Sequence, residues 1–227
     1  MNRLYDKDGI TTTLSALRFL SVRLKSRPET APLEAGVSHA RQSLQQADER
    51  WQQAHEERCG ATAEIEYLDT ELDEAVAELA REITVVVKND RSDPRHKKLF
   101  AVPPTTGMAG RANDSQERYV ANIMGRLAED QDYAAQRKYL DTIGKHQAAL
   151  KASVQRREAL YVPESQALAD RTIALDHARR VYNQMGAQLT LLFNDKRTLV
   201  DSFFVANSRK RKSADVVDDT GKSPSDE

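Results

Sequence analysis

The sequence predicts an all-α protein, an elongated antiparallel bundle of three long coiled-coil-like helices with a short amphipathic helix at its N-terminal end. One observation is an apolar seam repeated every seven residues, and a second is a companion column made mostly of alanine. This spacing keeps one helix stripe against a partner, and alanine lets the two backbones approach closely. A third is that the same period returns after residue 114. The two columns are Val37, Leu44, Trp51, Arg58, Ile65, Leu72, Leu79 and Val86, and Ala40, Ala47, Ala54, Ala61, Leu68 and Ala75.

Residues 1–29 form the predicted N-terminal segment, with an amphipathic helix from about Thr12 to Lys25 that ends before Pro28. Its leucines recur at helical spacing, and no acidic residue interrupts the stretch between Gly9 and Pro28. In one interpretation the apolar side docks on the bundle. In the other, the basic side contacts a membrane or a protein partner through Arg18, Arg23, Lys25 and Arg27.

Residues 30–206 form the predicted long bundle. Thr30 is a suitable N-cap for its first helix, and Asp114 with Glu117 has the spacing of a capping box. The phase of the apolar stripe slips near Asp130. The predicted helices span about 30–88, 114–161 and 164–206, with a loop at 89–113.

Pro163 sets the main architectural choice. The heptad phase continues from Tyr161 to Leu168, which favours one continuous helix through the proline. However, proline inside a helix costs about 3 kcal/mol, and an unbroken helix starting at residue 114 would outrun its partner. We therefore expect the chain to reverse at Pro163. The alternative, a continuous helix, would make the protein an obligate dimer.

The predicted loop carries a basic run at 95–98 that is followed directly by Leu99 and Phe100. Cations beyond a helix C-terminus complement the helix dipole, and an apolar pair in a returning loop is typical of a plug. We predict that Leu99 and Phe100 close one end of the bundle. Alternatively, the basic and aromatic side chains hold a phosphate or an acidic partner.

Arg58 interrupts an otherwise apolar column. An unpaired buried charge is very costly, so its guanidinium must either meet a carboxylate or extend outward to solvent. If the predicted helices 30–88 and 114–161 run antiparallel in a three-helix bundle, counting turns away from the loop that joins them places Asp141 beside Arg58. In this interpretation the pair Arg58 and Asp141 sets the register of the helices.

The sequence contains no pattern that identifies a reaction. His55 and Cys59 lie four residues apart on one helix face and could supply two metal ligands, but no second pair has a related spacing. The acidic residues of the first long helix mostly fall outside the apolar columns, as they do on a solvated face. We therefore expect no enzyme activity, no metal and no cofactor.

Composition and the C-terminal end limit the remaining partners. The net charge is −1, so no overall field attracts nucleic acid, and the single cysteine favours a reducing compartment, which we expect to be the cytoplasm. Residues 207–227 lack periodicity and predict a disordered charged tail. In a eukaryotic cell its basic cluster could act as a nuclear-import signal; the cluster comprises Arg209, Lys210, Arg211 and Lys212.

These patterns favour a non-enzymatic scaffold or protein-interaction module, whose partner is another protein or a second copy of the chain. In element count and length, the three long helices and the amphipathic helix at 12–27 resemble a membrane-curving BAR domain with its N-terminal helix. That resemblance implies a peripheral protein that binds an anionic membrane surface through the amphipathic helix.

Overall fold

The structure, a computed structural model, describes residues 3–110, 112, 114–194 and 196–205. Within those ranges it is all-helical and contains no strand, which confirms the predicted class. The elements are α1 (Ile10–Lys25), α2 (Ala31–Val86), α3 (Pro94–Leu99), α4 (Pro104–Gly107), α5 (Asp114–Glu129), a 3-10 helix (Gln131–Arg137), α6 (Lys138–Leu192) and α7 (Arg197–Asp201).

Two helices are much longer than the others. α2 has 56 residues and α6 has 55, whereas α5 has only 16. The prediction of three long helices is therefore wrong. α2 itself matches its predicted span of 30–88 closely, because the heptad seam keeps one phase along its whole length. The predicted loop at 89–113 is also more ordered than expected, since it contains the short helices α3 and α4.

The chain breaks at Asp130, where the predicted phase slip lies, and not at Pro163. Asp130 has an extended backbone, with φ −91° and ψ 128°, and its carboxylate accepts a hydrogen bond of 3.0 Å from the backbone N–H of Asp132. This break separates α5 from α6. As a result α6, with 55 residues, is no longer than α2, with 56. The excess length that led us to expect a reversal at Pro163 is therefore absent.

α6 passes through Pro163 without interruption, so the predicted boundary between helices 114–161 and 164–206 is wrong. Contacts with α2 continue on both sides of the proline. Arg156 lies 3.2 Å from Glu64, and Glu164 pairs with Arg58. These contacts keep α6 beside α2 on both sides of the residue that lacks a backbone N–H. Near its other end, α6 terminates at Leu192, well before the predicted residue 206, and α7 follows.

The chain divides into two compact units, Met1–Glu49 with Ala169–Glu227, and Arg50–Leu168. In the first unit, three leucines of α1 are fully buried: Leu17, Leu20 and Leu24. They belong to a core with residues from the start of α2, the end of α6 and the segment after α6, namely Val37, Leu44, Ala178, Tyr182, Met185, Leu189, Val200, Phe203 and Phe204.

The second unit combines the later part of α2 with α5 and the first part of α6. Its core draws one apolar stripe from each of these helices, and the segment between α2 and α5 adds further side chains. The main members are Leu72, Leu79, Ile83, Leu99, Phe100, Val120, Ile123, Leu127, Ile143 and Leu150. Salt bridges here pair falling numbers on α2 with rising numbers on α6, so the two helices are antiparallel.

Candidate functional site

Arg58 is held by Glu164 of α6, and not by the predicted partner Asp141. The Arg58 Nε–H donates to Glu164 Oε2, and about one third of the arginine side chain remains exposed. Asp141 instead pairs with Lys145 on its own helix, at 2.6 Å. The partner was predicted wrongly because level counting paired α2 with a helix that starts at residue 114. In the structure the helix beside α2 is α6, which starts at Lys138, and this register brings Glu164 to the level of Arg58.

His55 extends this polar layer. Its Nδ1 lies 2.7 Å from Glu164 Oε1, and its ring stacks on Trp51 with a centroid separation of 5.2 Å. Hydrogen bonds from His55 and Arg58 lower the pKa of the Glu164 carboxyl. Both carboxylate oxygens are therefore used, and the layer links α2 to α6.

Cys59 lies beside the same layer, with its Sγ 3.6 Å from His55 Nε2. Glu164, His55 and Cys59 thus follow one another in the order carboxylate, imidazole, thiol, which is the order found at activated cysteine nucleophiles. Such an enzyme also needs hydrogen-bond donors that stabilise the charged intermediate. The backbone N–H groups around Cys59 are not available for this, because inside α2 they bond to carbonyls of the same helix. What this arrangement provides is a connection between two helices.

Leu99 and Phe100 are buried in the second unit, with exposed fractions of 1% and 4%. Leu99 is the last residue of α3, a short helix whose N-terminus is capped by Asp93. The Asp93 carboxylate accepts from the backbone N–H of Arg95 at 2.8 Å and also pairs with the Arg95 guanidinium. Hydrogen bonds from Arg95 lower the pKa of Asp93.

A groove lies between the last turns of α2 and the segment that follows α3. Its volume is about 770 Å³, within the range of roughly 300–1,000 Å³ found for ligand clefts. Apolar atoms from both walls form much of its lining, including Val85, which is 73% exposed. All of its charged or titratable lining residues are basic; they are Arg81, Arg91, His96 and Lys97.

The basic residues predicted on the first helix are exposed, and three of them contact neighbours. Lys25 lies 3.3 Å from Glu34, and the guanidinium groups of Arg23 and Arg27 lie over the rings of Phe19 and Phe193. Arg18 is also exposed. The helix has therefore already buried its leucines in the first unit, while Phe19 stays 37% exposed and Val22 stays 62% exposed.

A separate polar cluster lies inside the second unit. Asp69 is buried and accepts from the side-chain amide of Gln116 at 2.8 Å. One turn further along α2, burial raises the pKa of Asp73, and the charge of Asp69 adds to this shift. The Oδ1 atom of Asp73 is buried without a hydrogen-bond partner in the described part of the chain.

Sequence reasoning missed Glu164, Arg81 and Arg91. Glu164 had a detectable signal in the sequence. In a continuous α6 it lies three residues after Tyr161 and four before Leu168, so it occupies a seam position that faces the partner helix. The two arginines had none, since neither departs from the pattern of a solvated surface. The predicted basic cluster of the tail, Arg209, Lys210, Arg211 and Lys212, lies outside the described residues.

Comparisons with protein-family models, with curated proteins and with solved structures found no match to this chain. Among the described residues, no group of three or more histidine, cysteine, aspartate or glutamate side chains could hold a metal ion. None of the helices in the described ranges combines the length and the apolar character needed to cross a membrane.

Proposed function

We propose that the protein is a non-enzymatic helical scaffold that binds other proteins. The observation that carries this proposal is the groove beside the end of α2, where exposed apolar and basic side chains meet on a fixed framework. Exposed apolar surface next to exposed basic side chains is typical of a protein-interaction site, because a bound partner removes the apolar atoms from water while complementing the charge.

The polar side chains that link the long helices support the same proposal. In the second unit, Glu82 accepts hydrogen bonds from Gln136 and Tyr139, and it pairs with Lys138. Glu164 is similarly used by Arg58 and His55. The hydrogen bonds of these groups hold one helix against another, as expected of a framework that keeps binding surfaces in place.

Site-specific photo-crosslinking in the source cell tests the proposal. A benzophenone amino acid replaces Thr105, which lines the groove, or Glu158, an exposed residue of α6 in the same unit. We expect position 105 to cross-link a defined protein that position 158 does not capture. The purified partner should then bind the isolated chain. Equal labelling from both positions, or none from position 105, would refute the assignment of this surface to a partner.

Membrane-surface binding is the second candidate, and one observation favours it. Phe19 and Val22 remain exposed on α1 beside Arg18 and Arg23, so an apolar and basic strip faces away from the core. Deleting the segment would also remove the buried leucines, so point variants give a sharper test. Loss of cosedimentation with phosphatidylserine vesicles in Phe19→Ser/Val22→Ser supports this candidate; no binding by the intact chain ends it.

A further inference from the structure

The charged and titratable residues that line the groove beside the end of α2 are all basic. Hydrogen bonds from Ser92 and, in smaller part, the charge of Lys97 lower the pKa of the nearby Asp90 carboxyl. Within the described ranges, Arg81, Arg91 and Lys97 form no ion pair. Their neighbours differ, because Arg95 pairs with Asp93 and Lys98 pairs with Asp130. The basic run at 95–98 is thus divided between cations that hold the loop and cations that face the groove.

The wall of the groove is fixed by hydrogen bonds to its backbone. Tyr133 donates its O–H to the carbonyl of Arg95 at 2.6 Å, and Tyr119 donates to the carbonyl of Val102 at 2.9 Å. Between them, Arg126 donates to the carbonyls of Lys98 and Leu99. A loop held in this way loses little conformational freedom when a ligand binds, which favours affinity.

The lining of the groove selects among classes of ligand. Its apolar atoms come from small and rigid side chains, including Ala77, Ala80, Val85, Pro103 and Pro104, and they suit an aliphatic or aromatic side chain. A free phosphate would leave these atoms uncovered. A single-stranded nucleic acid prefers exposed rings for stacking. The two rings in the lining are largely covered, since Phe100 is only 4% exposed and His96 is half-buried beside it.

We propose that this groove binds a short segment of a partner protein in which carboxylates flank an apolar side chain. The apolar side chain covers Val85 and the two prolines, and the carboxylates pair with Arg81, Arg91 and Lys97. The inference rests on the proposed function and makes it specific, since it names the chemistry of the partner.

Peptide selection on the intact protein tests this proposal. Short random peptides displayed on phage are selected for binding to the full chain. A selected peptide is then labelled with a fluorophore, and its binding is measured by fluorescence polarisation as the protein is titrated. We expect the selected peptides to carry aspartate or glutamate beside a large apolar residue. Their affinity should also fall as salt is raised, because the rim charges are exposed.

Three variants locate the binding. Arg81→Glu/Lys97→Glu and Val85→Asp should each weaken binding by about tenfold or more, whereas Arg118→Glu, an exposed change on α5, should alter the dissociation constant by less than about twofold. All of these side chains are exposed, so circular dichroism should show unchanged helix content.

Several results would overturn the proposal: selected peptides without acidic residues, no selected peptide at all, equal binding by every variant, or displacement by inorganic phosphate or oligouridylate. Much tighter binding by a chain ending at residue 205 would assign the groove to the chain's own segment 215–219 instead, which contains Asp215, Asp218 and Asp219. If photo-crosslinking at position 105 captures a partner whose binding survives these variants, the scaffold function stands and this inference fails.

Discussion

Gly107 is a position where a single methyl group should destabilise the second unit. A Cβ atom added there would lie 2.4 Å from two ring carbons of Tyr119, whereas ordinary contacts fall between 3.4 and 4 Å. One of the two groups must therefore move by about 1 Å. The ring cannot swing away freely, because it is 9% exposed and its O–H donates to the carbonyl of Val102.

We expect Gly107→Ala to lower the free energy of unfolding by about 1–3 kcal/mol, the usual cost of overpacking. Gly60→Ala is the matched control, since a Cβ at that interior position of α2 meets nothing within 4 Å. There alanine should stabilise the helix by about 0.5–1 kcal/mol. The two variants should therefore differ by roughly 1.5–4 kcal/mol, in opposite directions from the wild type.

Urea unfolding followed by circular dichroism measures the global effect, and amide hydrogen exchange in α5 reports on the second unit alone. A double-mutant cycle with Tyr119→Leu identifies the cause. If the ring is responsible, Gly107→Ala should cost about 1 kcal/mol less in the Tyr119→Leu background. The reasoning is refuted if Gly107→Ala is as stable as Gly60→Ala, or if its cost is the same in both backgrounds.

Three further predictions concern the core of the first unit and two carboxylates. Leu20→Ala should destabilise the chain by about 2–5 kcal/mol, while Val22→Ala on the exposed side of α1 should stay within about 0.5 kcal/mol in urea unfolding; equal effects would contradict the docking of α1. Because the pKa of Asp73 is raised above 3.8, its contribution to stability falls as pH rises through the folded-state pKa. Asp73→Asn should therefore raise the unfolding midpoint at pH 7 but not below the unfolded pKa, and a lower midpoint at pH 7 would disprove this. The pKa of Glu164 is lowered below 4.5, so its contribution is present above that value and lost as pH falls through the folded-state pKa. The midpoint difference between wild type and Glu164→Gln should vanish in acid, and a difference independent of pH would count against the ion pair with Arg58.

The long-range periodicity of the chain was sufficient to predict α2, because each heptad position of a coiled coil reports the same partner face. The stripe also marked the break at Asp130 as a phase slip. At Pro163 a local cost of about 3 kcal/mol was given more weight than the preserved phase. In the structure α6 stays helical through the proline, with contacts to α2 on both sides of it.

The expected partner of Arg58 depended on the register between α2 and the helix beside it. Pairing α2 with a helix that starts at residue 114 placed Asp141 at the level of Arg58, whereas α6 starts at Lys138 and brings Glu164 there. The groove has a different origin, because its two walls come from α2 and from a segment whose course is set by hydrogen bonds to the carbonyls of Arg95 and Val102. Sequence spacing carries no information about such a course.

The division of the chain into units has a consequence for its synthesis. Arg50–Leu168 is one continuous stretch, whereas the other unit joins the two ends of the chain. For example, the backbone N–H of Leu4 donates to Asn183 at 3.0 Å. During translation the core around the leucines of α1 therefore stays incomplete until residues 178–204 have been made, although Val37 and Leu44 are available earlier. We expect a nascent chain that stalls before Ala178 to expose part of this apolar face, and therefore to bind chaperones and to aggregate more readily.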